Sequence, residues 1–409
     1  MKINYLKKVL FETKSLTTSQ LLVAIISILQ LGIVSQSLGP DNFGRAVLVI
    51  TLISLVFRSL HARNSDVSFL IFKNYGTSYI FNSYIFDFLI SIIGALTTLV
   101  VFISPLNSLF GNYKVDIFIF LLILSRVFYS FSETSKAILT LNGWYSKIAR
   151  IEVLSSVIRF LLILYLFNIS PRLEFYFLAY SSYFFIYGFS SIFSIRNVSI
   201  NFKFGFSNII KYYQIVKLNY LKQRADQIVG ILPQHFDIVI LSYFADYSTV
   251  GIYRIAKRLI EPIDSLIAVL NPFVQHNLSK NVNSFSIKDF FLKVLFPISV
   301  IILIFYFVFG QYLIEVIAGK EFIESVQPLR ILVIGYIFYF CTFWVRQKIL
   351  FAEKIQFHTI ARLIGTVMFL ILANFLAQEL KAVGLAIALT IGMVSQKIFE
   401  LYIYKKYQL

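Results

Sequence analysis

Five charged side chains lie within one long apolar stretch of the sequence, residues 250–278, where they could bind or neutralise ions. The five are Arg254, Lys257, Arg258, Glu261 and Asp264. At about 100° per residue they fall within roughly 120° of a helix circumference, so a helix would present them as one stripe. A membrane-spanning helix tolerates such a stripe only where it faces protein or a water-filled cavity. The pattern therefore indicates a polar path through a membrane protein.

The stripe permits two roles. Arginine binds phosphate oxygens through a planar, bidentate fork, which predicts that Arg254, Lys257 and Arg258 bind an anionic substrate. The acids Glu261 and Asp264 are then candidates for coupling transport to H⁺ or Na⁺. In the alternative, the pairing is internal and structural, because Glu261 lies at helical spacing from both Lys257 and Arg258.

Three other charged residues within apolar runs are candidates for the same roles. Asp237 is a further candidate for ion coupling, and the alternative is that it neutralises Arg254. Arg126 and Arg159 each lie about ten residues into an apolar run and are candidates for substrate binding. Their alternative is a paired or snorkelling structural role. We expect no metal and no cofactor, because the sequence has neither metal-ligand spacing nor a phosphate-binding glycine loop.

The composition indicates a membrane protein. Hydrophobic residues make up 58% of the chain and charged residues 14%, and the mean hydropathy is +0.79. Soluble domains carry about 25% charged residues. The net charge of +17 is assigned to cytoplasmic loops rather than to nucleic-acid binding, because Lys and Arg collect in such loops. The single cysteine, Cys341, excludes an internal disulfide.

Twelve apolar runs are long enough to cross a bilayer, which predicts an all-α protein with twelve transmembrane helices. The predicted spans are 16–38, 43–62, 79–103, 115–139, 151–168, 173–195, 218–244, 250–277, 290–314, 329–351, 358–377 and 382–404. Lys and Arg are concentrated in every second loop between these spans and at both ends of the chain. The positive-inside rule then places both termini in the cytoplasm.

The two halves of the sequence share a pattern. Gly44 follows the turn before the second span, and Gly251, 207 positions later, follows the turn before the eighth span. An offset of six helices is even, so both halves would have the same orientation in the membrane. We therefore predict two six-helix lobes, 1–205 with helices 1–6 and 206–409 with helices 7–12. Paired lobes of this kind are typical of alternating-access transporters.

Three segments resemble the polysaccharide repeat-unit flippases of the multidrug/oligosaccharidyl-lipid/polysaccharide (MOP) exporter superfamily. They are residues 37–55 (SLGPDNFGRAVLVITLISL), 250–259 (VGIYRIAKRL) and 318–338 (AGKEFIESVQPLRILVIGYIF). The resemblance extends over essentially the whole chain and includes the ending Gly384-Leu385-Ala386-Ile387-Ala388.

This resemblance implies a V-shaped transporter, similar to the multidrug and toxin extrusion (MATE) proteins, in the bacterial inner membrane. The implied substrate is a polyprenyl-diphosphate-linked oligosaccharide, flipped from the inner to the outer leaflet for O-antigen, capsule or exopolysaccharide synthesis. Membrane lipids, a polysaccharide polymerase and a chain-length regulator are the implied partners, and nucleic acid is not among them.

Two other functions fit a polytopic membrane protein. A multidrug exporter on the same fold would need acidic groups for cationic drugs, whereas the predicted path is net basic. A membrane glycosyltransferase or polymerase would need a large extracytoplasmic loop for its reactive groups. The predicted outer loops reach only about a dozen residues, which is an ordinary connection length. The sequence therefore favours a transporter over an enzyme.

Overall fold

The computed structural model describes residues 2–60, 64–75, 79–104, 115–196, 212–214, 217, 228–279, 291–352 and 354–407. Within these ranges the regular structure is helical, and no strand is present. The first six helices are α1 Lys2–Leu60, α2 Asn64–Tyr75, α3 Ile80–Ile103, α4 Ile117–Leu141, α5 Tyr145–Ile169 and α6 Leu173–Ser194. They are followed by α7 Asp237–Phe244, α8 Tyr247–Ser279, α9 Phe296–Ile317, α10 Val326–Phe351 and α11 Ile355–Lys406.

All twelve predicted spans coincide with helix where the structure describes them, except at residues 115–116 and 195 at the ends of two spans. The seventh span is described as helical only from Ile228 onward. The helices α1 and α11 each contain two spans, because the backbone leaves the helical conformation at Gly39 (φ 70°) and Lys381 (φ 47°). Seven described segments are long and apolar enough to cross a membrane. The all-α, multi-pass membrane fold is therefore confirmed, and α2 is an additional short helix in a predicted loop.

Side-chain caps begin two of these helices. The carboxylate of Asp116 accepts a hydrogen bond from the Ile119 amide at the start of α4, at 2.8 Å. Asp246 accepts from the Thr249 amide, also at 2.8 Å, at the start of α8. Hydrogen bonds from the Thr249 hydroxyl and amide hold the pKa of Asp246 below its ordinary value.

The helices form two compact units. Unit 1 contains Met1–Gln30 and Val49–Ile231, and unit 2 contains Leu31–Leu48 and Leu232–Leu409. In unit 1, α6 packs against both α4 and α5; in unit 2, α10 packs against α8, α9 and α11. The predicted division of the chain at residues 205 and 206 stays a prediction.

A contact between two glycines explains why residues 31–48 belong to unit 2. A Cβ atom on Gly44 would overlap the carbonyl of Tyr247, and a Cβ on Gly251 would lie 2.5 Å from the carbonyl of Pro40. Each carbonyl belongs to the residue four positions before the partner glycine. The contact is therefore reciprocal under the same offset of 207 that relates Gly44 to Gly251, which supports duplication of the two halves.

Candidate substrate and ion site

A buried ion pair joins α7 to α8. Lys257 donates to Oδ2 of Asp237, and the two side chains are 7% and 0% exposed. The Tyr253 hydroxyl donates to the same oxygen at 2.9 Å, and the Ile238 amide donates to Oδ1 at 2.8 Å. Lys257 also donates to the Gln234 carbonyl at 2.6 Å. The base that neutralises Asp237 is thus Lys257 rather than Arg254.

Irregular backbone before α7 makes this pair possible. The residues Leu232–Phe236 form a π-helical turn that contains Pro233, which has no amide hydrogen. The Ile238 amide donates to the Asp237 side chain, and the Gln234 carbonyl four residues earlier accepts from Lys257. Such π-helical turns occur often at functional sites. Here the turn supplies one oxygen ligand of the lysine.

A second charged group lies on a more accessible face of α8. Arg258 forms an ion pair with Glu261, and Nη2 of Arg254 lies 3.5 Å from the other oxygen of Glu261. The side chains of Arg254, Arg258 and Glu261 are 23%, 29% and 32% exposed. One carboxylate is shared by two guanidinium groups, so this trio carries one net positive charge. Asp264 is exposed, and no described base forms an ion pair with it.

The arginine of α4 lies against an aromatic ring of α6. Arg126 is 9% exposed, and its Cζ lies 3.7 Å from the centroid of the Phe184 ring. Its Nη2 donates to the Ser54 hydroxyl at 2.5 Å. A guanidinium on an aromatic face is attracted by the ring quadrupole and keeps its full charge.

The arginine of α5 lies against the same part of α6. Arg159 is 7% exposed, and its Cζ lies 4.9 Å from the ring of Tyr183 and 5.3 Å from that of Tyr180. The rings of both tyrosines contact Phe184. We call Arg126, Arg159, Tyr180, Tyr183 and Phe184 the arginine–aromatic site.

The two arginines of this site lack compensation. The Nε atoms of Arg126 and Arg159 are buried and have no hydrogen-bond partner. Among the described residues, no carboxylate forms an ion pair with either of them. Two buried positive charges with free N–H donors are costly in a membrane protein unless an anion or water satisfies them. An anion at this site would lower that cost.

A further charged network lies at the end of α11 and escaped the sequence interpretation. Glu400 and Lys397 are both fully buried, and His358 is 2% exposed. Glu400 Oε1 lies 3.0 Å from His358 Nδ1, and Oε2 accepts from Lys397 at 2.7 Å. Lys397 and Glu400 at a spacing of three within an apolar run were the available signal. The partner His358 is 42 positions away, so no local pattern pointed to it.

One more buried carboxylate, in α3, was also missed. Asp87 is 1% exposed and accepts from the Thr134 amide at 3.2 Å and from its hydroxyl at 2.6 Å. An acid within the predicted span 79–103 was again the available signal. Within the described part of the chain, no three His, Cys, Asp or Glu side chains are placed to hold a metal ion.

Residues 33–327 match the family model described as polysaccharide biosynthesis protein. This match extends over more than two thirds of the chain. A comparison with curated protein sequences finds no significant match.

Solved structures of the MOP superfamily share the fold. The lipid II flippase MurJ in an inward closed conformation is 14% identical, with a TM-score of 0.79 over 95% of this chain and 87% of MurJ. An inward-facing multidrug resistance MATE transporter is 14% identical, with a TM-score of 0.72 over 94% of both chains.

A third similar structure is a MOP transporter from Pyrococcus furiosus, described as having a binding pocket of reversed polarity. It is 14% identical, with a TM-score of 0.62 over 97% of this chain and 96% of that chain. At such low identity these similarities show the fold alone, and they confirm the predicted MOP fold.

Proposed function

The chain belongs to the polysaccharide biosynthesis protein family, and on that premise we propose that it is a lipid-linked oligosaccharide flippase. Its substrate is a polyprenyl-diphosphate-linked repeat unit for O-antigen, capsule or exopolysaccharide synthesis. The protein moves it from the inner to the outer leaflet of the bacterial inner membrane by alternating access, with both termini cytoplasmic. It works with a polysaccharide polymerase and a chain-length regulator.

The observation that carries this proposal is the uncompensated charge of the arginine–aromatic site. Arg126 and Arg159 are buried within membrane-spanning helices, and each retains an unused Nε–H donor. Diphosphate oxygens accept such donors in short, charge-assisted hydrogen bonds. Bonds of this kind are stronger at a site of low dielectric constant than in water. A diphosphate bound at this site would therefore have such donors to accept from.

The accessible face of α8 is a second, separate candidate for phosphate binding in this proposal. Arg254 and Arg258 share one carboxylate, so part of their charge remains available to a phosphate. Lys257 acts together with Asp237 as a neutral pair and contributes less attraction to an anion.

Ion coupling through Asp237, Glu261 or Asp264 belongs to the same proposal. Asp264 is exposed and no described base forms an ion pair with it, whereas Glu261 already binds two arginines. Asp237 must first release Lys257, because that ammonium group already occupies the position of a cation. Asp264 is accordingly the first carboxylate to test.

The membrane potential favours export of such a substrate. A diphosphate carries about two negative charges, and each gains about 2.3 kcal/mol per 100 mV on leaving a negative cytoplasm. Outward movement is then favoured by roughly 4–5 kcal/mol at about 100 mV. The buried bases need only lower the barrier by replacing water around the phosphates. Ion coupling would reset the empty, positively charged protein.

The test is flipping of labelled undecaprenyl-diphosphate-linked sugar in proteoliposomes that contain the full chain. We expect flipping that accelerates with a potential of the favourable sign, without a proton or sodium gradient. If an ion gradient alone accelerates flipping, strict ion coupling replaces the electrophoretic account. Export of a cationic dye without any flipping of the lipid would instead identify a multidrug exporter.

A further inference from the structure

An open groove lies between α5 and α6, and none of its lining residues belongs to the arginine–aromatic site. Its volume is about 720 Å³. The groove is formed where α5 begins and α6 ends, and these ends coincide because the short turn between Ile169 and Leu173 makes the helices antiparallel. Basic residues line one end of it and aromatic residues line its wall. We call it the α5–α6 groove.

Three bases and no acid line the groove. Lys147 and Arg150 lie in the first two turns of α5, and Arg196 follows α6 by two residues. Lys147 is held in place, because its Nζ lies 3.7 Å from the Trp144 ring and donates to the Ser194 carbonyl at 3.2 Å. Arg150 and Arg196 are exposed, and no described carboxylate forms an ion pair with them. The positive-inside rule predicts that this end is cytoplasmic.

The wall of the groove is apolar and accessible. Phe185, Phe189 and Phe193 are spaced by four and share one face of α6, and Leu154 of α5 also lines the groove. Phe189, Phe193 and Leu154 are 46%, 66% and 49% exposed. The three phenylalanines extend over roughly 12 Å along the helix axis. This length of hydrocarbon surface is open to a lipid chain.

We propose that the α5–α6 groove binds an anionic phospholipid of the cytoplasmic leaflet. The phosphodiester group lies between Lys147, Arg150 and Arg196, and one acyl chain lies along Phe185, Phe189 and Phe193. Basic pockets beside membrane helices on the cytoplasmic side recognise anionic head groups in this way, and arginine can bind the phosphate with two parallel N–H donors. The groove has three bases and no acid, so a zwitterionic lipid of no net charge gains far less electrostatic binding energy from it than an anionic lipid does.

Native mass spectrometry of the purified full chain tests this site. The chain is titrated with phosphatidylglycerol and with phosphatidylcholine of the same acyl chains. We expect the double variant Arg150→Gln/Arg196→Gln to bind phosphatidylglycerol roughly thirtyfold more weakly, the factor for two interfacial bases, with phosphatidylcholine unaffected. Leu154→Trp fills the groove without changing charge and should also reduce phosphatidylglycerol binding.

The matched control is Lys405→Gln/Lys406→Gln, which removes two exposed bases at the end of α11, outside the groove. An equal loss in this control, or equal binding of both lipids by the unmodified chain, would overturn the proposal. Undecaprenyl diphosphate is added as a competitor. If it displaces phosphatidylglycerol and is itself lost in Leu154→Trp, the occupant is the prenyl diphosphate and the phospholipid assignment is wrong.

Discussion

The two units compensate their most buried bases differently. In unit 2, Lys257, Arg258 and Lys397 each form an ion pair with a carboxylate. In unit 1, Arg126 and Arg159 lie against aromatic rings, and no described carboxylate pairs with them. The charge of a paired base is largely neutralised by its carboxylate. A base that lies on an aromatic ring is not neutralised and still attracts an anionic ligand.

The predicted site residues therefore differ in how much positive charge they leave for an anionic substrate. The stripe on α8 contains the larger number of bases, yet its most buried base, Lys257, belongs to a closed pair with Asp237. The cation–π attraction at Arg126 is worth about 2 kcal/mol when desolvated, and it leaves the Nε donor free. Unpaired bases, rather than the number of bases, therefore identify the better anion site.

The largest expected effect concerns the closed pair of unit 2. Lys257→Met removes the ammonium and leaves the buried carboxylate of Asp237 uncompensated, so we expect a loss of about 3–5 kcal/mol in the free energy of unfolding. The double variant Asp237→Asn/Lys257→Met should recover most of this loss. Thermal unfolding of the detergent-purified protein measures both, in a double-mutant cycle.

The exposed lysine Lys405 offers a control for this cycle. Lys405→Met should leave the unfolding temperature unchanged, because that side chain is solvent-exposed. If Lys257→Met and the double variant lose the same stability, then Lys257 is not held by Asp237 and the contrast between the units fails.

The next largest effect concerns the unpaired arginines of unit 1. The double variant Arg126→Gln/Arg159→Gln should lose about 1.5–3 kcal/mol of substrate stabilisation, roughly a 10- to 150-fold decrease in lipid flipping in proteoliposomes. The variant should fold with roughly unchanged stability, because removing two buried charges offsets the loss of the cation–π contacts and no described carboxylate is left without a partner.

The matched control is Arg172→Gln/Lys320→Gln, which removes two exposed bases at predicted outer helix ends. This control should flip lipid normally. Normal flipping by Arg126→Gln/Arg159→Gln would show that these arginines are structural, and the anion site would then have to lie on α8.

The smallest expected effect comes from removing a carboxylate from the partly exposed charged group on α8. Glu261→Gln removes the carboxylate that Arg254 and Arg258 share, so the guanidinium of Arg258 loses its ion-pair partner and becomes available to an anion. The ion pair between Arg258 and Glu261 is partly exposed, so it stabilises the protein by only about 0.2–1 kcal/mol. We therefore expect the variant to bind undecaprenyl diphosphate only about 1.5- to 5-fold more tightly. Titration in detergent measures this. The exposed Glu324→Gln should have no effect, and weaker binding in Glu261→Gln would assign the carboxylate to the substrate site.

Much of the fold was predictable because apolar run length determines whether a segment can cross a bilayer. The spans near 79–103 and 173–195 agree with α3 and α6 to within a residue or two. The short helix α2 was missed because its twelve residues carry no sustained apolar run. The turn at Lys381 was correctly placed between two spans, although its positive φ has no sequence signal.

Run lengths, charge distribution and the repeat of Gly44 at Gly251 were thus determined by the sequence alone. Tertiary structure decided which acid meets which base. Helical periodicity places Arg254 and Lys257 on one stripe, but it contains no information about what lies opposite. Only the packing of α7 against α8 brings Asp237 to Lys257, and only the packing of α6 brings aromatic rings to Arg126 and Arg159. The positive charge available to a substrate depends on these long-range contacts. A lysine or arginine is positive by residue type, but a carboxylate that packing brings close to it neutralises that charge.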